Sequence, residues 1–199
     1  MRKLTVTLCL TLTILLGSAG VSESADFQKG SIAYESEDYV TALREWTPLA
    51  EQGDAIVQYI LGQMHRKGKG VPQDYKTAVK WYTLAAKQGN ANAQYNLGLM
   101  YDKGEGVPQD DKTAVKWYRL AAEQGNVDAQ NNLARMYYLG TGVPADYVYS
   151  YMWADIAASS GDKNAVNGRD IVAKKMTPAD ISTAQKFARE CVRKKYKGC

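Results

Sequence analysis

The sequence predicts an all-α protein, an α-solenoid of stacked antiparallel helix pairs with an N-terminal signal peptide. Three observations carry that reading. The stretch Asn90 to Gly125, NANAQYNLGLMYDKGEGVPQDDKTAVKWYRLAAEQG, moved back 36 positions falls on Asp54–Gly89 with 25 of 36 residues identical. Moved forward by the same step it falls on Asn126–Gly161, where the frame persists and the detail drifts. The punctuation keeps the same step: Gly53, Gly89, Gly125 and Gly161 close the units, Val71-Pro72, Val107-Pro108 and Val143-Pro144 mark one internal corner, and Trp81, Trp117 and Trp153 recur on one face. A fixed period of roughly 20–50 residues indicates stacked units, because each buries its apolar face only against a neighbour.

The chain divides accordingly into a leader (1–25), a shortened first unit (26–53), three full repeats (54–89, 90–125, 126–161) and a C-terminal cap (162–199). Arg2-Lys3, the apolar run Leu4–Leu16 and small residues through Ala25 read as a secretory signal, cleaved between positions 19 and 25. The apolar run is too short to span a bilayer, so no stable span is expected in the mature form. A periplasmic or secreted protein follows.

In the shortened unit, Tyr34, Tyr39, Ala42 and Leu43 suggest two helices joined by a turn near Glu37-Asp38, and Trp46 aligns with Tyr82 rather than Trp81. Terminal repeats are commonly atypical. In the second repeat, helix A should run from about Ala91 to Tyr101, with Asn90 as N-cap; Asp54, Asn126 and Asp162 hold the same place. Gly104 and Gly106 supply positive-φ positions that stop it. Asp110 then caps helix B, as do Asp74 and Asp146, and Gly125 ends it. Lys76, Lys80, Thr83 and Lys87 form one polar stripe on helix B of the first repeat, and the remainder is apolar, as for a helix packed on both sides.

After Gly161 the period fades. Asp162–Met176 reads as one more A-like helix, and Thr177-Pro178-Ala179-Asp180 as a capping-box start for a last one. Ile181, Ala184, Ala188, Cys191 and Val192 make its apolar stripe, so the Cys191 sulfur should face the preceding helix. Cys191 and Cys199 are the cysteines left after export, and in an oxidising compartment they are expected to pair, folding the tail back. Charge is uneven: residues 26–162 sum to −4 and residues 163–199 to +7, read here as a solvated cap.

The pattern A-Q-x-x-L-G-x-M-Y-x-x-G-x-G-V-P-x-D-x-x-x-A-x-x-W-Y-x-x-A-A-x-x-G at Ala93–Gly125 resembles the Sel-one-like repeat (SLR) family, α-solenoids related to tetratricopeptide repeats. The resemblance covers about 26–161 and implies a right-handed superhelix serving as adaptor or scaffold. Cysteine-rich bacterial relatives staple each repeat with a disulfide and some bind penicillin; no repeat here contains cysteine.

Catalytic material is scarce. His65, the single histidine, stands where Tyr101 and Tyr137 stand and reads as a packing residue. Gly68-Lys69-Gly70 superficially suggests a phosphate loop, but no strand precedes it and the next unit has Glu105 at the lysine position. The aromatic residues recur at helical spacing in a net acidic region, unlike the basic groove that single-stranded nucleic acid requires. No catalytic residue, cofactor or metal site is assigned, and no nucleic-acid partner.

Comparing the units yields one site. Gln94, Leu97 and Met100 are unchanged in all three, whereas Asn92, Tyr95, Leu99 and Asp102 become Ile56, Tyr59, Gln63 and Arg66 in the first and Asp128, Asn131, Arg135 and Tyr138 in the third. These positions follow i, i+3, i+7, i+10, a single helical stripe free of the repeating packing demand. Resemblance to tetratricopeptide proteins implies that the stripe lines a concave groove for a protein or peptide; a plain solvent face is the other reading. The expectation is an exported, non-enzymatic interaction module. The alternative, from the cysteine-rich relatives, is a cell-wall-associated enzyme or β-lactam-binding protein. The sequence leaves the oligomeric state open.

Overall fold

The computed structural model describes residues 26–199; the leader lies outside the described residues. The chain forms α1 (Phe27–Glu35), α2 (Tyr39–Glu51), α3 (Ala55–Lys67), α4 (Tyr75–Lys87), α5 (Ala91–Lys103), α6 (Asp111–Ala122), α7 (Val127–Leu139), α8 (Tyr147–Ala158), α9 (Lys163–Ala173) and α10 (Pro178–Arg193). No strand occurs among the described residues. Pairs α1/α2, α3/α4, α5/α6 and α7/α8 pack against each other, and each B helix packs on the next A helix.

The helix ends are where the punctuation puts them. Asp54, Asn90, Asn126 and Asp162 each accept backbone N–H groups of the first turn of α3, α5, α7 and α9. Asp74, Asp110 and Asp146 do the same for α4, α6 and α8. Helix A overruns the expected end by two residues, to Lys103, before Gly104 turns left-handed at φ 69°. The second corner glycine has a different task. At Gly106 (φ 74°) a Cβ would lie 2.5 Å from the Tyr75 carbonyl, so the corner presses backbone to backbone on the preceding B helix. Gly142 repeats that contact on Asp111.

Buried rings hold the first three pairs together. A Cβ at Gly98 would lie 2.7 Å from Cδ1 of Tyr118, and one at Gly62 would lie 2.5 Å from Tyr82. Gly30 stands in the same relation to Trp46, which explains why that tryptophan aligns with the tyrosines. Trp81 and Trp117 face the other way and pack on the core that joins their own A helix to the preceding unit.

Repetition of the buried glutamine also has a cause. Gln58, Gln94 and Gln130 donate to the carbonyl oxygens of Ala50, Ala86 and Ala122 at 2.9, 3.1 and 3.2 Å. Each is a second donor to a carbonyl at the end of the preceding B helix, which also accepts the N–H of the glycine closing that unit (Gly53, Gly89, Gly125). Gln88 and Gln124 then donate to Gln58 and Gln94. This ladder stitches unit to unit.

The tail departs from expectation. Cys191 does not face the preceding helix: α10 folds back along α8, and Cys191 and Ala188 enter a core shared with α6, α7 and α8. The reason lies in α8. Lys76 and Lys80 of the polar stripe, repeated as Lys112 and Lys116, become Val148 and Met152, and this apolar face needs cover. Thr177 and Asp180 form a full capping box that starts α10. Cys191 and Cys199 are bonded, with Cα atoms 5.5 Å apart. The returning loop brings the Tyr196 ring over Gly125.

Candidate functional site

Among the A helices, α3 approaches α5 and α7 approaches α9. Together the A helices form one wall of the stack. The stripe of variable residues runs along it.

Ile56, Asn92 and Asp128 are exposed at one edge. Tyr59 and Tyr95 are half-buried, their rings 6.0 Å from those of Tyr82 and Tyr118. Gln63 donates to the Tyr59 hydroxyl, and Leu99 packs on the central core. At the far edge Arg66 reaches Glu105 and Asn96, each at 3.4 Å. Asp102 accepts from the Tyr118 hydroxyl at 3.1 Å and from Arg135 at 2.6 Å. Asn131 donates to Asp162, the cap of α9, at 3.2 Å.

The stripe is therefore less free of packing than the sequence suggests. Residues that differ between units meet across the repeat spacing and link one unit to the next. The electrostatics are those of a wall, without an activated group. Burial pushes the Tyr118 hydroxyl far up, the Asp102 charge adding to it, and burial likewise raises Tyr82, Tyr59 and Tyr95. These hydroxyls stay protonated at neutral pH.

The residues set aside in the sequence occupy structural places. His65 is half-buried, its Nδ1 has no hydrogen-bond partner, and burial lowers its pKa against the opposing pull of Asp74. Its carbonyl accepts from Asp74 N–H, as Tyr101 and Tyr137 do in their units, so it belongs to the corner. Lys69 lies 4.9 Å from the ring centroids of both Tyr34 and Tyr39, held over the first unit by cation–π contacts. Among the described residues no group of three or more His, Cys, Asp or Glu side chains could hold a metal ion. Nor is any described helix long and apolar enough to cross a membrane.

One feature of the wall escaped the comparison of units. A cavity of about 350 Å³ opens between α7, α8 and α9, lined by Ala134, Arg135, Tyr138, Ala154, Ile171 and Val172 among others. A signal for it is in the sequence: Tyr82 and Tyr118 become Ala154 in the third repeat. It lies outside the A-helix pattern because the missing ring belongs to helix B.

Comparisons with known proteins agree with this architecture. A Sel1 repeat protein from Oxalobacter formigenes is similar at 30% identity and a TM-score of 0.66, over 83% of this chain and 75% of that one. A protective antigen present in uropathogenic Escherichia coli strains, displaying an SLR fold, is similar at 28% identity and a TM-score of 0.61, over 85% of this chain. The chain spans about half of that antigen, 46% of its length. No curated protein matches. The Sel1 repeat model matches residues 55–90, 91–126 and 127–162, with the period of the three full units and bounds one residue later, and the chain belongs to the Sel1 repeat family.

Proposed function

We propose that this chain is an exported, non-enzymatic adaptor that binds a protein or peptide along the wall of its A helices. Sel1 repeats mediate protein–protein interaction. The observation that carries the site is the A-helix stripe, which changes from unit to unit while the buried glutamine beneath it repeats. Its exposed edge runs from Ile56 through Asn92 to Asp128, offering apolar, amide and acidic contacts in turn. Export rests on the signal-like leader and the Cys191–Cys199 bond, which persists in an oxidising compartment. Nothing in the wall favours the β-lactam-binding or cell-wall-enzyme alternative.

Quantitative pull-downs from envelope extract test the reading. An Ile56→Asp, Asp128→Lys variant changes only exposed wall positions and should lose the specific partners by ten-fold or more. A Lys80→Glu, Lys116→Glu variant changes the B-helix polar stripe and should retain them. The reverse pattern in two folded variants removes the A-helix wall as the binding face.

A further inference from the structure

Resting on the A-helix wall reading, we infer that the cavity between α7, α8 and α9 receives an aromatic side chain, tyrosine or phenylalanine, from the bound protein. Three earlier units supply that ring themselves. Trp46 covers Gly30, Tyr82 covers Gly62 and Tyr118 covers Gly98, and in the two full repeats Tyr59 and Tyr95 lie against the tyrosine. In the third repeat both rings are gone: Asn131 stands at the Tyr95 position and Ala154 at the Tyr118 position. The facing wall recedes too, since Gly168 of α9 replaces the Asn96 and Asn132 of the earlier A helices. Around Gly168 there is open space even for an added Cβ.

These changes do not collapse the site. About 350 Å³ remains, at the lower end of the roughly 300–1,000 Å³ found for ligand pockets. The floor is apolar, from Ala134, Ala154 and Val172, all buried. Ile171 stands exposed at the mouth, and Ala134 adds a methyl where Gly62 and Gly98 have none. That methyl prevents this chain from placing its own ring as the other units do, since a Cβ at Gly62 or Gly98 would lie 2.5 or 2.7 Å from the tyrosine ring. A partner's ring enters from solvent and need not press so closely. Around the mouth, Arg135, Asn131 and Asn164 present donors to the carbonyl groups of an extended segment. The site opens beside the A-helix stripe, so a segment lying on the wall can insert one side chain without leaving it.

The test uses the purified protein and three probes, the N-acetyl amides of tyrosine, phenylalanine and leucine, followed by amide chemical shifts. The aromatic probes should saturate below about 10 mM with shifts confined to α7–α9, and leucine should bind at least ten-fold more weakly. An Ala134→Gly, Ala154→Tyr variant rebuilds the glycine–tyrosine pair of the earlier units, fills the cavity with the chain's own ring and should abolish binding. Ile171→Arg, at the exposed mouth, checks the same point without touching the core and should weaken aromatic binding ten-fold. No saturable aromatic shift, equal binding of leucine, or binding undiminished in both variants overturns the assignment. Both variants are also compared in the pull-down. Partners lost by Ile56→Asp, Asp128→Lys but kept by the filled and the Ile171 variants would leave the A-helix wall standing and overturn the cavity as its anchor. Aromatic probe binding with partner capture unchanged would assign the cavity to a free aromatic molecule and overturn the protein side chain as occupant.

Discussion

The second and third repeats share one frame and solve different problems. In the second, Tyr118 fills the space over Gly98, Lys112 and Lys116 face solvent from α6, and neighbours on both sides repeat the arrangement. In the third, Ala154 leaves that space open, and Val148 and Met152 turn the solvent face of α8 into a buried one. The buried glutamine's bond to the preceding B helix, the capping acids and the corner glycines persist through both. Positions that transmit the stack are thus held, while positions that need satisfy only one unit are released. Release occurs where the array ends, and there it produces both the closing contact with α10 and the cavity.

Tyr118→Ala would give the second repeat the third's vacancy without its other adjustments. Removing this fully buried ring should cost about 3–5 kcal/mol, read as a fall in the urea midpoint. A loss under ~1 kcal/mol would mean that the ring pairs do not hold the regular units together. Met152→Lys restores the regular residue to α8 and buries a charge under α10, costing roughly 3–5 kcal/mol. The converse change, Lys116→Met in α6, should stay within about 0.5 kcal/mol because nothing covers it. Equal effects at the two positions would show that α10 does not depend on the apolar face of α8.

Reducing the Cys191–Cys199 bond should cost about 2–3 kcal/mol, felt at the end of the array. Hydrogen exchange should quicken across residues 177–197 while helices near Trp81 stay protected, since solenoid contacts are between neighbours. Uniform quickening would contradict that locality. The smallest effect separates the capping acids. Asp74 and Asp110 are held below the usual carboxylate range, first by the Thr77 and Thr113 hydroxyls and then by backbone N–H groups. Because folding lowers these pKa values, their contribution is present above the unfolded value of ~3.9 and fades as pH falls through the folded one. Tyr149 stands at the threonine position in the third repeat. Thr113→Val should raise the Asp110 carboxyl pKa in a carbon-detected titration and leave Asp74 unmoved.

Much of this was legible in the residues. The period, the caps and the stopping glycines reflect local chemistry: a carboxylate or amide accepts N–H groups two and three residues ahead, and a glycine takes positive φ wherever the chain goes. So α3 to α8 could be placed from Asp54, Asp74, Asn90, Asp110, Asn126 and Asp146 alone. The variable stripe followed from comparing units, because repetition separates shared demands from individual ones. The side on which α10 lies was decided by tertiary structure, since its apolar stripe fits any apolar face and only the packed array shows that α8 is the uncovered one. The cavity was decided there as well. A missing ring in Ala154, a missing ring in Asn131 and a receding wall at Gly168 sit on three helices, and only folding brings their vacancies into one space.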